Sequence, residues 1–188
     1  MKKTLFSLMT IALMAVVCVG LSACSSDDEG DGGGNGSGSA SGAIPISVKA
    51  GYFIKNSNGT TWELYFFSKV PDKDGWFEGV ADAMTIDLRT ETGYSSIPEG
   101  EFQNCFAVDI IKGTSTGGKG INYESGRRSE TTGKLVITKN GSGYKVSLSG
   151  VAIYEIDDND NKVRVVEPNF TFNYSGAIVE YPWKDYDK

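Results

Sequence analysis

Tyr144-Lys145-Val146-Ser147-Leu148-Ser149-Gly150-Val151-Ala152-Ile153-Tyr154-Glu155-Ile156 is the longest regular pattern in the chain, and its period decides the fold. Tyr144, Val146, Leu148, Ala152, Tyr154 and Ile156 recur at even spacing, which puts them on one side of an extended strand and cannot make a helical stripe. Gly150 interrupts the series and reads as a bulge or bend. The turn Asn140-Gly141-Ser142-Gly143 precedes this strand and joins it to one carrying Leu135 and Ile137. After it, Asp157-Asp158-Asn159-Asp160-Asn161 forms a polar hairpin tip that returns through Val163 and Val165. Phe170, Phe172 and Tyr174 then alternate with Thr171, Asn173 and Ser175 before Ile178.

Upstream the same period repeats. Ile46, Val48, Ala50, Tyr52 and Ile54 share one face of a first strand. Asn58-Gly59 turns the chain into Trp62, Leu64 and Phe66, with Tyr65 and Phe67 on the other side, the mark of a central strand apolar on both faces. Met84, Ile86 and Leu88 alternate with Thr85, Asp87 and Arg89. Pro98 and Gly100 suit a tight turn that feeds a strand with Phe102, Asn104, Phe106, Val108 and Ile110 on its core side. Residues 112–133 read as a long, mobile surface loop, and no stretch supplies a helical i, i+3, i+4, i+7 pattern. The expectation is all-β: a single antiparallel β-sandwich or β-barrel domain of about eight or nine strands over residues 43–188.

The N-terminus carries the address. Lys2 and Lys3 precede an apolar run from Leu5 to Gly20 that is too short for a spanning helix. Leu21-Ser22-Ala23-Cys24 resembles the lipobox of bacterial lipoproteins. The resemblance implies a signal peptide at residues 1–23 and acylation of Cys24 as the first mature residue. Residues 24–42, a lipidated cysteine followed by acidic and Gly/Ser-rich sequence, read as a disordered linker spanning roughly 23 Å on average. Its Ser26-Asp27-Asp28-Glu29 resembles the acidic export signal of Bacteroidetes surface lipoproteins, which implies an outer membrane lipoprotein exposed on the cell surface. With the Ile97-Pro98-x-Gly100-x-Phe102 turn and the Phe170-x-Phe172-x-Tyr174-x-Gly176-x-Ile178 strand, the chain is similar to uncharacterised Bacteroidetes surface lipoproteins with a β-sandwich or lipocalin-like domain. That likeness brings no catalytic residues with it.

Composition narrows the chemistry. Removing residues 1–23 takes away two lysines and no acid, so the formal charge moves from −6 to −8, a sign that argues against nucleic acid as partner. Membrane attachment then rests on the acyl chains. The chain has no histidine, which excludes Ser-His-Asp triads, Cys-His dyads and His-ligated zinc. Cys18 leaves with the signal peptide and Cys24 is consumed by lipid, so Cys105 has no intrachain partner and reads as a small buried hydrophobe.

Four motifs remain. Residues 113–120, GTSTGGKG, approach a phosphate loop, but Gly120 stands where the Mg²⁺-ligating hydroxyl belongs and no helix follows. Arg127 and Arg128, just beyond, read as a solvated loop tip. Asp157, Asn159 and Asn161 have the alternating oxygens of a calcium loop; Lys162 and Pro168 at its sixth and twelfth positions exclude an EF-hand, leaving a shallow calcium site or a plain hairpin tip, and no other cofactor is expected. Asp72, Asp74 and Asp82 form a weaker oxygen cluster. The carboxylates Glu63, Glu78, Asp87, Glu99 and Glu101 could hydrolyse a glycosidic bond only if the fold paired two of them, so no enzyme is expected. Aromatic residues carry the positive expectation. Trp76, Phe77, Tyr181 and Trp183 lie outside the clear strands, among Asp and Lys, and suit stacking against a sugar ring or a protein contact. The expected function is a non-catalytic, lipid-anchored surface module capturing a glycan or a partner protein; the alternative is a lipocalin-like barrel enclosing a small apolar ligand.

Overall fold

Eleven β-strands and no helix make up the described residues of the computed structural model, which are 34–75, 79–114, 120–157 and 161–182. In chain order the strands are β1 Asn35–Ser41, β2 Ile46–Lys55, β3 Thr61–Phe67, β4 Ala81–Arg89, β5 Gly100–Phe102, β6 Phe106–Thr114, β7 Ile121–Glu124, β8 Lys134–Asn140, β9 Gly143–Ile156, β10 Lys162–Gly176 and β11 Ile178–Glu180. They pair as β10-β1-β2-β3-β4-β6-β7-β9, and β9 pairs back to β10, so the sheet closes on itself as a barrel. All pairings are antiparallel except that of β11 with β2. The seam is narrow: β7 meets β9 only through Tyr123↔Glu155 and Glu124↔Tyr154.

The strand that decides the fold is also its fork. One edge of β9 runs along β10. The other edge pairs with β8 over residues 143–149 and passes to β7 at 154–155, with β5 continuing outward from β8. Gly150 sits between the two partners at φ 70°, a left-handed conformation open to glycine at no steric cost. Against β10, Leu148 and Val151 face Phe172 and Phe170, three steps against two, which is a bulge. An extra residue reverses the alternation. Beyond Gly150 the core residues are therefore Val151 and Ile153, while Ala152 and Tyr154, expected inside, are only part-buried.

Other expectations shift for related reasons. On β2, Ile46 and Val48 join the main core and Phe53 packs against it, but Ala50 and Tyr52 belong to a second cluster with Phe67. Phe102 lies on the separate strand β5, and the left-handed Asn104 (φ 58°) turns the chain into β6, leaving Asn104 exposed instead of on the core face. Residues 112–133 are not one loop, because β6 extends to Thr114 and β7 pairs with it. Val163 and Val165 are exposed on β10.

The largest revision is at the N-terminal end. The linker expected over 24–42 yields its last part to β1, which lies between β10 and β2. Glycine serves close approach here. A Cβ on Gly36 would fall 2.1 Å from the Tyr174 hydroxyl, and one on Gly34 would fall 2.2 Å from the Gly51 carbonyl oxygen. Tyr174, at the heart of this junction, donates its hydroxyl to Ala177 O at 2.5 Å. The barrel thus includes residues 35–41, and the segment read as a signal peptide, Cys24 and the acidic tract lie outside the described residues.

Inside the barrel, Trp62, Phe66, Phe106, Phe170 and Phe172 are completely buried together with Leu64, Met84, Ile86, Leu88 and Ile110. Trp62 satisfies its one polar atom by donating to Gly59 O at 2.9 Å. Side chains fill the space that a lipocalin-like barrel would keep for its ligand.

Candidate functional site

With the interior filled, polar capacity collects on the outer face of β3, β4, β6 and β7. Alternation places Glu63 and Tyr65 there on β3, because their neighbours Trp62, Leu64 and Phe66 point inward. Cross-strand pairing then sets Glu63 opposite Asp87, Thr85 opposite Asp109, and Asp109 opposite Glu124. Directly opposed side chains have Cβ atoms about 5 Å apart. Four carboxylates scattered through the sequence thus become neighbours. A cleft of ≈1180 Å³ opens over three of them, Asp87, Asp109 and Glu124, lined also by Arg89, Cys105, Ala107 and Arg128.

A strap of residues 125–131 borders this cleft. Its ends are sewn down by two buried hydroxyls: Ser125 Oγ accepts the Val108 amide at 2.9 Å and shares a 3.0 Å hydrogen bond with Thr131 Oγ1. Arg127 O accepts the amides of Glu130 and Thr131, which closes the strap into a tight turn. Lys162 reaches across to Glu130 at 3.2 Å. From this turn Arg128 pairs with Asp87 through Nη2 and Oδ2, and is no solvated tip. The other arm of each group, Arg128 Nε and Asp87 Oδ1, is buried without a hydrogen-bond partner.

Electrostatics follow from this crowding. Burial, then the negative charges of Glu124, Asp87 and Glu63, push the Asp109 carboxyl from its usual 3.8 up to about 6, with Arg128 opposing. Burial and the hydrogen bond to Glu63 raise the Tyr65 phenol. Burial also raises the Cys105 thiol, which suits a packing role and not a nucleophile.

Beside the cleft the same outer face turns aromatic. Tyr52, Tyr65, Phe67 and Tyr181 form one cluster, with the Tyr181 ring 5.3 Å from Tyr52, 5.6 Å from Tyr65 and 5.8 Å from Phe67. Tyr181, expected in a polar tail, is drawn onto the sheet because β11 pairs with β2 and the Tyr181 amide donates to Phe53 O. Its hydroxyl donates to Gly75 O at 2.7 Å. Trp76, Phe77 and Trp183 lie outside the described residues, but Trp76 follows Gly75 directly and Trp183 is two positions after Tyr181. Of the sequence candidates, then, the fold brings the flanks of these aromatic residues to one place.

The oxygen clusters are used locally. Asp157 accepts the Asn161 amide at 2.9 Å and the Asn161 side chain at 3.3 Å, which closes the hairpin, while Asn159 lies outside the described residues. Asp82 is bound by Lys112 and by the Gly113 amide, and Asp72 accepts the Asp74 amide. No group of three or more acidic or cysteine ligands able to hold a metal occurs among the described residues. The phosphate-loop lookalike falls largely outside the described residues, as does Glu78. Glu99 accepts the Lys139 amide and Glu101 pairs with Lys134, so neither faces the cleft carboxylates as a partner.

Sequence reasoning named Glu63 and Asp87 only as unpaired strand carboxylates, and missed Asp109, Glu124 and the role of Arg128. One signal was available: Asp109 is a lone carboxylate inside the apolar run Phe106-Ala107-Val108-Asp109-Ile110-Ile111, a costly placement unless charge or ligand compensates. No protein-family model matches the chain, and neither a curated protein nor a solved structure matches it.

Proposed function

We propose that this chain is a non-catalytic binding module, held at the outer membrane by acylated Cys24 and presented on the cell surface, which captures a glycan or a partner protein on the outer face of its barrel. The observation that supports this reading best is the hydrogen bond from the Tyr181 hydroxyl to Gly75 O. It ties the segment leading to Trp76-Phe77 to the segment leading to Trp183, beside three further aromatic rings. Flat rings next to carboxylates and a guanidinium suit sugar stacking combined with hydroxyl recognition. The filled interior counts against the enclosed apolar ligand. A tether between lipid and barrel raises the local chance of capture without any chemistry.

The test is a tryptophan-fluorescence titration against a panel of soluble polysaccharides, using the Cys24→Ser form, which is expected to stay out of the membrane fraction. A saturable change that Trp76→Ala or Trp183→Ala weakens by about tenfold or more is expected, the loss of one stacked ring. A flat response across the panel would remove the glycan and leave a protein partner.

A further inference from the structure

We propose that the cleft beneath the 125–131 strap is a subsite for a neutral, polyhydroxylated ligand, with Asp87 and Arg128 as its recognition pair. This rests on the binding reading above and names the residues and the ligand chemistry. The observation is the half-made ion pair. Arg128 Nη2 bonds Asp87 Oδ2, while Nε and Oδ1, a donor and an acceptor, are buried with no partner. An unmet buried polar atom forfeits its hydration without replacement, so the ligand-free arrangement is one that a suitable group would relieve. The Arg128 and Asp87 side chains are 35 % and 26 % exposed and both line the cleft, so the ligand enters by turning the two groups until their covered atoms meet its hydroxyls.

A hydroxyl matches that pair because it both donates and accepts: adjacent hydroxyls of a sugar ring give a hydrogen to Oδ1 and take one from Nε. The rest of the lining selects in the same direction. Carboxylates (Asp87, Asp109, Glu124) are interspersed with cations (Arg89, Arg127, Arg128), so neither a simple anion nor a simple cation meets one sign of charge. The volume of ≈1180 Å³ exceeds what one drug-sized molecule fills, which suits a chain of several rings. The strap is held in place before any ligand arrives, since Ser125 and Thr131 anchor it to β6. Preorganisation of this kind lowers the cost of binding.

The deciding experiment is calorimetric titration of the protein with short linear gluco-, manno- and galacto-oligosaccharides, and separately with glycine and with inorganic phosphate. Arg128→Lys keeps a cation for Asp87 but deletes the Nε–H, so it is expected to weaken saccharide binding about tenfold or more without lowering the melting temperature. Asp87→Asn is expected to do likewise, and raising the salt concentration is expected to change the wild-type affinity little, since the ligand is uncharged. Saccharide binding that both variants retain, while Trp76→Ala loses it, would overturn this subsite and leave the binding module standing. Saturable binding of glycine or phosphate lost in Arg128→Lys would replace the hydroxyl assignment with an ionic one. Failure of every saccharide to bind would overturn the subsite together with the glycan form of the function.

Discussion

The two faces of β3 and β4 are built from alternate residues of the same strands, yet they obey opposite rules. Inward, Trp62, Leu64, Phe66, Met84, Ile86 and Leu88 are fully buried, and the one polar atom among them has its partner. Outward, Glu63, Tyr65, Asp87 and their neighbours Asp109 and Arg128 crowd like charges, leave hydrogen-bonding atoms unmet and hold a carboxyl far above its usual value. The contrast teaches where each kind of free energy is placed. Stability comes from the interior, where large side chains pack against one another, and unspent interaction capacity sits outside at the strap. Large binding-competent barrels divide the labour the other way, with the ligand inside.

The largest expected effect comes from the interior. Trp62→Ala removes a completely buried ring and its hydrogen bond to Gly59 O, and should cost about 3–5 kcal/mol in urea unfolding. A cost below about 1 kcal/mol would mean the interior is loosely packed and the contrast is overdrawn.

Next in size is Gly36→Val. Strand β1 is part of the barrel wall only if its glycines are needed for close approach, and a side chain at Gly36 meets the Tyr174 hydroxyl. Destabilisation of about 1–3 kcal/mol is expected, typical of overpacking. A variant as stable as the parent would return residues 35–41 to the linker.

Asp109→Asn sharpens the comparison from the outer side, with the opposite sign. The native carboxyl, at about 6, holds its proton more tightly than the unfolded chain does, at 3.8. Stability from this group is therefore fully present below about pH 4 and is lost as pH rises through 6. The amide cannot ionise, so the variant should be more stable than the parent at pH 8, by on the order of 2 kcal/mol, and equal to it near pH 4. Equal stability at both pH values would mean that the outer face holds no such tension.

Much of this architecture is legible in the residues themselves. The alternations at 62–67, 84–89 and 170–174 land on the faces expected of them, because β3 and β4 pair there without a register shift and at Phe170–Phe172 the extra residue lies on β9, not on β10. Errors cluster where period two is reset. Gly150 was visible as a bulge, but its consequence, the reversal that buries Val151 and Ile153, depends on the partner strands β8, β7 and β10. β1 was hidden because Gly and Ser carry no hydrophobic pattern; its place comes from Tyr174, whose ring takes the space that side chains on β1 would need. At the site, Tyr181 was legible as an aromatic outside the early strands, whereas its partners were not. Asp109, Glu124 and Arg128 gain meaning only from cross-strand register and from the fold of the strap, neither of which is local in sequence.

Ala107 and Val108 are consecutive on β6 and sit on opposite sides of the wall, one lining the cleft and the other wholly inside. Methyl-resolved NMR during titration with a bound oligosaccharide therefore separates the two faces at a single peptide bond. The expected result is a saturable shift of the Ala107 methyl, with the Val108 methyls unmoved. A shift of the Val108 methyls with Ala107 unmoved would place the ligand inside the barrel and contradict the division between a stabilising interior and a binding exterior.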